Sequence, residues 1–167
     1  MAKVLFAALL LLALARALAQ PAAAPEEFKE LAVPPPPAYQ KEGLISIDMP
    51  SSTALTFGLD PASLSIGGDG VVRYVMVAYH PSGSINALYE GLRCESGEVK
   101  TYARSTEIGR WTVVQQPTWR RVDNSSLSRH ALALAKQGVC DGWKVVTPKA
   151  PDMLRLLRTP KTSQQAY

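Results

Sequence analysis

Residues 71–80, Val-Val-Arg-Tyr-Val-Met-Val-Ala-Tyr-His, constrain the fold more than any other stretch of the chain. The run is rich in β-branched and aromatic residues and is apolar on both of its alternating faces. Val71, Val75, Val77 and Tyr79 lie on one face, and Val72, Tyr74, Met76 and Ala78 on the other. A strand that is apolar on both sides must be central in its sheet and covered twice. Gly67-Gly68-Asp69-Gly70 before it and Pro81-Ser82-Gly83 after it are turns. Ile85 to Cys94 then returns as a second long strand, Ser96-Gly97 makes a tight hairpin, and Glu98 to Ala103 comes back again. The expected centre is an antiparallel meander over residues 71–103.

The flanks carry weaker signals. Leu44–Ile47 reads as a brief strand ending at Met49-Pro50. Thr53–Phe57 reads as another, stopped by Gly58 and Asp60-Pro61, and Ser63–Ile66 alternates as a half-buried strand does. Trp111–Val114 is a further strand, with Pro117–Arg121 an edge or a loop. Asn124-Ser125-Ser126 offers N-caps for a helix over residues 127–137, whose apolar stripe is Leu127, Ala131, Leu134 and Ala135 and whose C′ residue is Gly138. Trp143–Val146 is a candidate closing strand. The expected fold class is α+β: an antiparallel sheet of five or six strands with one C-terminal helix packed on it.

The first nineteen residues have the pattern of a cleaved signal peptide. Lys3 gives a positive start, Val4 to Ala15 is an apolar run, and Ala17-Leu18-Ala19 is a small-x-small cleavage site. The run is shorter than the roughly 20 residues a spanning helix needs, and nothing later in the chain resembles a transmembrane segment. The reading is a periplasmic protein whose mature chain starts near Gln20. Residues 20–42, rich in Ala, Pro and Glu and including Pro34-Pro35-Pro36-Pro37, read as an extended spacer in polyproline II conformation. The folded domain is expected over residues 43–146, and residues 147–167 as a basic tail with one helical turn near Leu154.

Losing Lys3 and Arg16 with the leader lowers the net charge from +4 to +2. Such a balance does not point to a nucleic-acid partner, which calls for a clustered basic face. From Lys144 onward, however, Lys144, Lys149, Arg155, Arg158 and Lys161 face Asp152 alone. A basic tail of this kind suits an envelope protein or an anionic envelope polymer as partner, or is simply solvated.

Cys94 and Cys140 are the two cysteines of the chain. In an oxidising compartment they are expected to pair, and closing a loop of about 47 residues contributes about 4 kcal/mol by chain entropy. They would staple the exit of the helix to the second long strand. With His80 and His130 they form no metal-ligand spacing, so neither a metal nor another cofactor is expected.

No motif for a nucleophile and its base occurs, and no catalytic residue is assigned. The most distinctive run is Tyr89-Glu90-Gly91-Leu92-Arg93-Cys94. A glycine in a strand lets another backbone or a ligand approach closely, and Arg93 is suited to grip a carboxylate or phosphate. Tyr89, Glu90 and Arg93, with Arg73, are therefore the candidate ligand-binding residues. The competing reading of Glu90 and Arg93 is a structural ion pair beside the disulfide. Trp111, Trp119 and Trp143, with Tyr74, Tyr79 and Tyr102, either line a glycan groove or fill the core.

Val72-Arg73-Tyr74, Pro81-Ser82-Gly83, the Tyr89–Cys94 block and Gly97-Glu98 together resemble the CNP-like family of exported bacterial proteins, whose namesake is a cryptic neisserial protein. The likeness runs from about Gly43 to Val146, with the Y-E-G-x-R-C block its most specific part. It implies an exported Gram-negative protein and brings no catalytic residues with it. The functional expectation is a non-enzymatic binding or structural protein of the cell envelope. A cell-wall hydrolase or transferase built on His80 or His130, and a small-ligand carrier with an aromatic cavity, are the alternatives.

Overall fold

A computed structural model describes residues 27–49, 54–125 and 127–159. The leader, the Met49-Pro50 turn at Pro50, the start of the Thr53 strand, the Ser126 cap candidate and the end of the tail lie outside the described residues. Nine strands, two α-helices and one π-helical turn are described. They are β1 (Ile45–Ile47), β2 (Thr56–Ile66), β3 (Val71–Tyr79), β4 (Ile85–Arg93), β5 (Glu98–Glu107), β6 (Arg110–Val113), β7 (Arg120–Arg121), α1 (Arg129–Leu134) with the π-turn Ala135–Val139, β8 (Cys140–Asp141), β9 (Lys144–Val145) and α2 (Ala150–Arg158).

Strands β1 to β6 lie side by side in sequence order, every pair antiparallel, and β7 adds to the start of β5. The expected meander is present, and β3 is its buried centre with Val71 through Ala78 all inaccessible to solvent. Each face carries its own core. On one, Val72, Tyr74, Met76, Leu59 and Leu92 pack with Leu134, Val139, Met153 and Leu157 from the helices. On the other, Val75, Val77, Ala87, Tyr89, Tyr102 and Ala103 pack with Tyr39 and, at the margin, Val33 and Trp111. Cys94 and Cys140 are joined and tie the end of β4 to the exit of the π-turn.

Four expectations need correction. The first concerns β2, which does not stop at Gly58 or Asp60-Pro61 but runs on to Ile66. Its register against β3 shifts between Asp60 and Ser65. Pro61 falls in this irregular stretch, where no ladder hydrogen bond is asked of it. There Asp60 Oδ1 accepts from Ala62 N, while Ser63 Oγ donates to Asp60 O and accepts from Val75 N, so side chains replace the missing ladder.

The second is the spacer, which is a strap laid along the sheet. Tyr39 is buried and its hydroxyl is 2.9 Å from Ser105 Oγ. Trp111 Nε1 donates to Pro37 O at 2.9 Å, Leu31 N donates to Asp69, and Glu30 accepts from Lys100 and Tyr102. A polyproline segment has free carbonyls and docks on aromatic surfaces, here one of its own chain.

The third is the tail, whose single helical turn is in fact α2, nine residues long. Pro151 stands in the first turn, Asp152 near the N-terminus, Arg155 and Arg158 in the last turn, and Met153 and Leu157 are buried. The fourth is the Trp143 strand. β9 pairs only with β8, in a two-stranded ribbon apart from the main sheet.

The expected helix over residues 127–137 is shorter, with Ser128 as N-cap and a π-turn as its second half. Ala131, Leu134 and Ala135 are buried as the stripe requires, whereas Leu127 is exposed. Among the described residues no helix is long and apolar enough to cross a membrane.

Candidate functional site

Alternation along β4 sends Glu90 and Arg93 to opposite faces of the sheet, because they are three positions apart. Glu90 points to the helix side, opposite Tyr74 on β3 and Thr101 on β5. A register shift keeps Thr101 there and leaves Tyr102 and Ala103 both facing the strap. The Glu90 carboxylate is 1% exposed and accepts hydrogen bonds from Tyr74 OH at 3.1 Å and Thr101 Oγ1 at 2.9 Å. His130 Nε2, on α1, lies 2.8 Å away. A carboxylate flanked by two hydroxyl donors acts as acceptor, so Nε2 carries the proton. The imidazole stacks on Phe57 of β2, ring centroids 5.8 Å apart.

Burial alone pushes the Glu90 carboxyl up. The His130 charge and the hydrogen bonds from His130, Thr101 and Tyr74 outweigh it and hold the group below the usual carboxylate range. The Tyr74 phenol is pushed well up, first by burial and then by the Glu90 charge. Such a pair resembles a base held by its orienting acid, but it is sealed between sheet and helix and lines none of the described clefts. His80, at the β3–β4 turn, bonds to Ser82 of the same turn. Neither histidine lines one of the described clefts.

Arg73, Tyr89 and Arg93 share the strap face, where each meets partners from its own chain, although Arg73 Nε is buried without a hydrogen-bond partner among the described residues. Arg73 pairs with Asp69 at 2.7 Å and approaches Glu30 at 4.0 Å. Arg93 lies over Phe28, 3.4 Å from the ring centroid, and near Glu98 at 3.6 Å. Tyr89 packs against Tyr102 and Trp111. Gly91 is needed because the Tyr102 ring crosses where a Cβ would stand, so the close approach is intramolecular. Burial raises the Asp69 carboxyl, but the Arg73 hydrogen bond and the Leu31 and Val71 backbone donors outweigh it and bring it to about 2. The strap thus holds the charges that the sequence offers as a recognition patch, and the aromatic rings there are core rather than cavity walls.

The open feature lies on the helix side. An open groove of about 740 Å³ runs between edge strand β1 and the outer surface of α1, the π-turn and the end of α2. Three cations from separate segments reach it: Arg129 from α1, Lys136 from the π-turn and Arg158 from α2, against the single acid Asp48. Its wall is fixed by Gln137. The side-chain amide donates to Ser46 O at 2.9 Å and to Leu157 O at 3.1 Å, and accepts from Asp48 N at 3.0 Å. Binding the carbonyl of one residue and the N–H two further on is what a residue of a parallel strand does, so Gln137 closes the edge of β1.

The model of the CNP1-like family matches residues 23–158. The chain belongs to that family. No curated protein and no solved structure matches it. The CNP1-like match is wider than the resemblance over residues 43–146. It takes in the strap and ends on Arg158, the last residue of α2, so both elements are part of the family's unit. Of the groove cations of this CNP1-like chain, Arg158 reads as part of the basic tail, whereas Arg129 and Lys136 escaped sequence reading although a signal exists. Arg129 and Lys136 are seven apart, two helical turns, which places two cations on one face. Among the described residues no group of acidic, histidine and cysteine side chains has the makings of a metal site.

Proposed function

We propose that this CNP1-like protein is exported to the periplasm and binds an anionic polymer of the cell envelope in the groove between β1 and the helices. The observation that carries the reading is the convergence of Arg129, Lys136 and Arg158 on one open groove, in which Asp48 is the acid among the described lining residues. Positive charge from three segments raises the local concentration of an extended anion without any one tight contact. Export is supported by the leader pattern and by the joined cysteines, which suit an oxidising compartment. The sealed Glu90–His130 pair and the filled aromatic core favour a binding role over a hydrolase or a carrier.

Titration with polyphosphate by calorimetry at low and high salt tests the proposal. Binding at 50 mM salt that weakens steeply by 300 mM, and is lost in the Lys136→Glu/Arg158→Glu double variant, is the expected result. No heat at low salt, or equal binding by the double variant, overturns it.

A further inference from the structure

The groove continues past α1. Leu132 and Lys136 line it and also line a second cleft of about 350 Å³, backed by the Cys94–Cys140 disulfide and bounded by Trp143. Arg93 and Trp143 are shared in turn with a third cleft of about 430 Å³, where Arg93 and Lys144 stand with the acids Asp69 and Glu95. Three clefts therefore stand in series with common walls. Cations recur along them, with Arg121 in the second and Lys144 in the third.

Trp143 stands where the second and third clefts meet. It follows Gly142 at the tip of the β8–β9 ribbon and is 66% exposed, the most open of the large hydrophobic side chains described. It belongs to neither core. Its ring rests by the β4–β5 turn, where a Cβ on Gly97 would be 3.6 Å from the indole, so the platform is supported from below. Ser96 of that turn lines the second cleft, and its hydroxyl has no hydrogen-bond partner among the described residues.

An indole held open between two clefts with largely apolar walls and charged rims suits one chemistry better than others. The C–H face of a pyranose ring carries weak positive charge and stacks on the negative π-face of the indole, while hydroxyls around the ring take up polar groups at the rim. A bare polyphosphate has no use for such a platform. A membrane surface asks for several apolar side chains on a convex tip, and here one ring stands between concavities.

We infer that the three clefts form a single track for an acidic polysaccharide, with one sugar ring stacked on Trp143 and acidic groups of neighbouring sugars facing Lys136, Arg121 and Lys144. The inference rests on the proposed polyanion binding and names the polymer class. The experiment compares four probes on the full exported chain: oligogalacturonate, polyphosphate of matched charge, neutral dextran oligomers, and vesicles containing anionic lipid. Oligogalacturonate is expected to bind, and Trp143→Ala to weaken it by about tenfold or more while Trp143→Phe restores most of the loss. Polyphosphate binding should change less than about twofold in either variant. Melting temperatures report that the variants remain folded, which the exposure of the ring leads one to expect.

Equal weakening for both polyanions, no effect of Trp143→Ala on oligogalacturonate, or binding of vesicles in its place overturns the inference. If oligogalacturonate fails where polyphosphate binds, the sugar platform falls and the polyanion groove stands. If neither binds, both fall.

Discussion

The two faces of the sheet are covered in different ways, and the difference separates what holds the protein together from what is left to meet a partner. On the helix face, α1, the π-turn and α2 bring ordinary aliphatic side chains onto β3, and one charged pair, Glu90–His130, is sealed among them. On the other face a segment without helix or strand lies across an aromatic core, held by Trp111 to Pro37, Tyr39 to Ser105, Leu31 N to Asp69 and the Glu30–Lys100 ion pair. The strap consumes the charges it meets. The helices face the sheet with apolar side chains and turn their cations outward. The proposed binding surface is therefore the outer surface of the helices, although the most distinctive sequence block lies beneath the strap and in the core.

The largest effect that can break this comparison lies at the sealed pair. His130→Leu leaves the Glu90 carboxylate buried with two hydroxyl donors and no imidazole partner, and is expected to cost about 3–5 kcal/mol in urea unfolding. Adding Glu90→Leu removes the stranded charge and should recover most of that loss. A single substitution costing under about 1 kcal/mol would mean that water reaches the pair, and the sealed-core description would fail.

Next in size is the strap. Tyr39→Ala empties a site that is 4% exposed and breaks the bond to Ser105, with an expected loss of about 3 kcal/mol in the same assay. A spacer residue would cost a few tenths at most, so a value near zero returns the strap to the role of linker.

The smallest effect is acid sensitivity. The Asp69 carboxyl is lowered from 3.8 to about 2 and Glu30 is lowered too, so both stabilise the fold above their unfolded values and lose that contribution as the pH falls through the folded ones. For Asp69 the window runs from about pH 4 down to about pH 2, and the contribution is about 1–2 kcal/mol after solvent screening. Tryptophan fluorescence should report a step there that shrinks in Asp69→Asn. Superimposable acid titrations of the two proteins would show that Asp69 does not hold the strap.

The comparison also explains what the sequence disclosed. Residues 71–103 were legible because alternation is unambiguous over nine-residue strands, and the demand for cover on both faces of β3 was correct. What covers the second face was not legible. A polyproline strap has no hydrophobic period, and its binding residues, Glu30, Pro37 and Tyr39, find their partners 66 to 74 positions away. Helix α2 was hidden by its charges, although Pro151 and Asp152 at the start, Met153 and Leu157 one turn apart, and Arg158 at the end are a complete helix signature. Glu90 and His130 are 40 residues apart on different kinds of element, and nothing local announces their meeting. Gln137 is equally silent, because it closes the edge of a strand 91 residues earlier.

Amide chemical-shift mapping of the chain with oligogalacturonate tests most directly whether the proposed recognition lies on the helix side. The expected result is a continuous set of perturbed amides over residues 129–137, 142–145 and 157–159, with strap residues 28–39 unchanged. Perturbations centred on the strap and on Arg73, with residues 129–137 and 142–145 unchanged, would contradict the account.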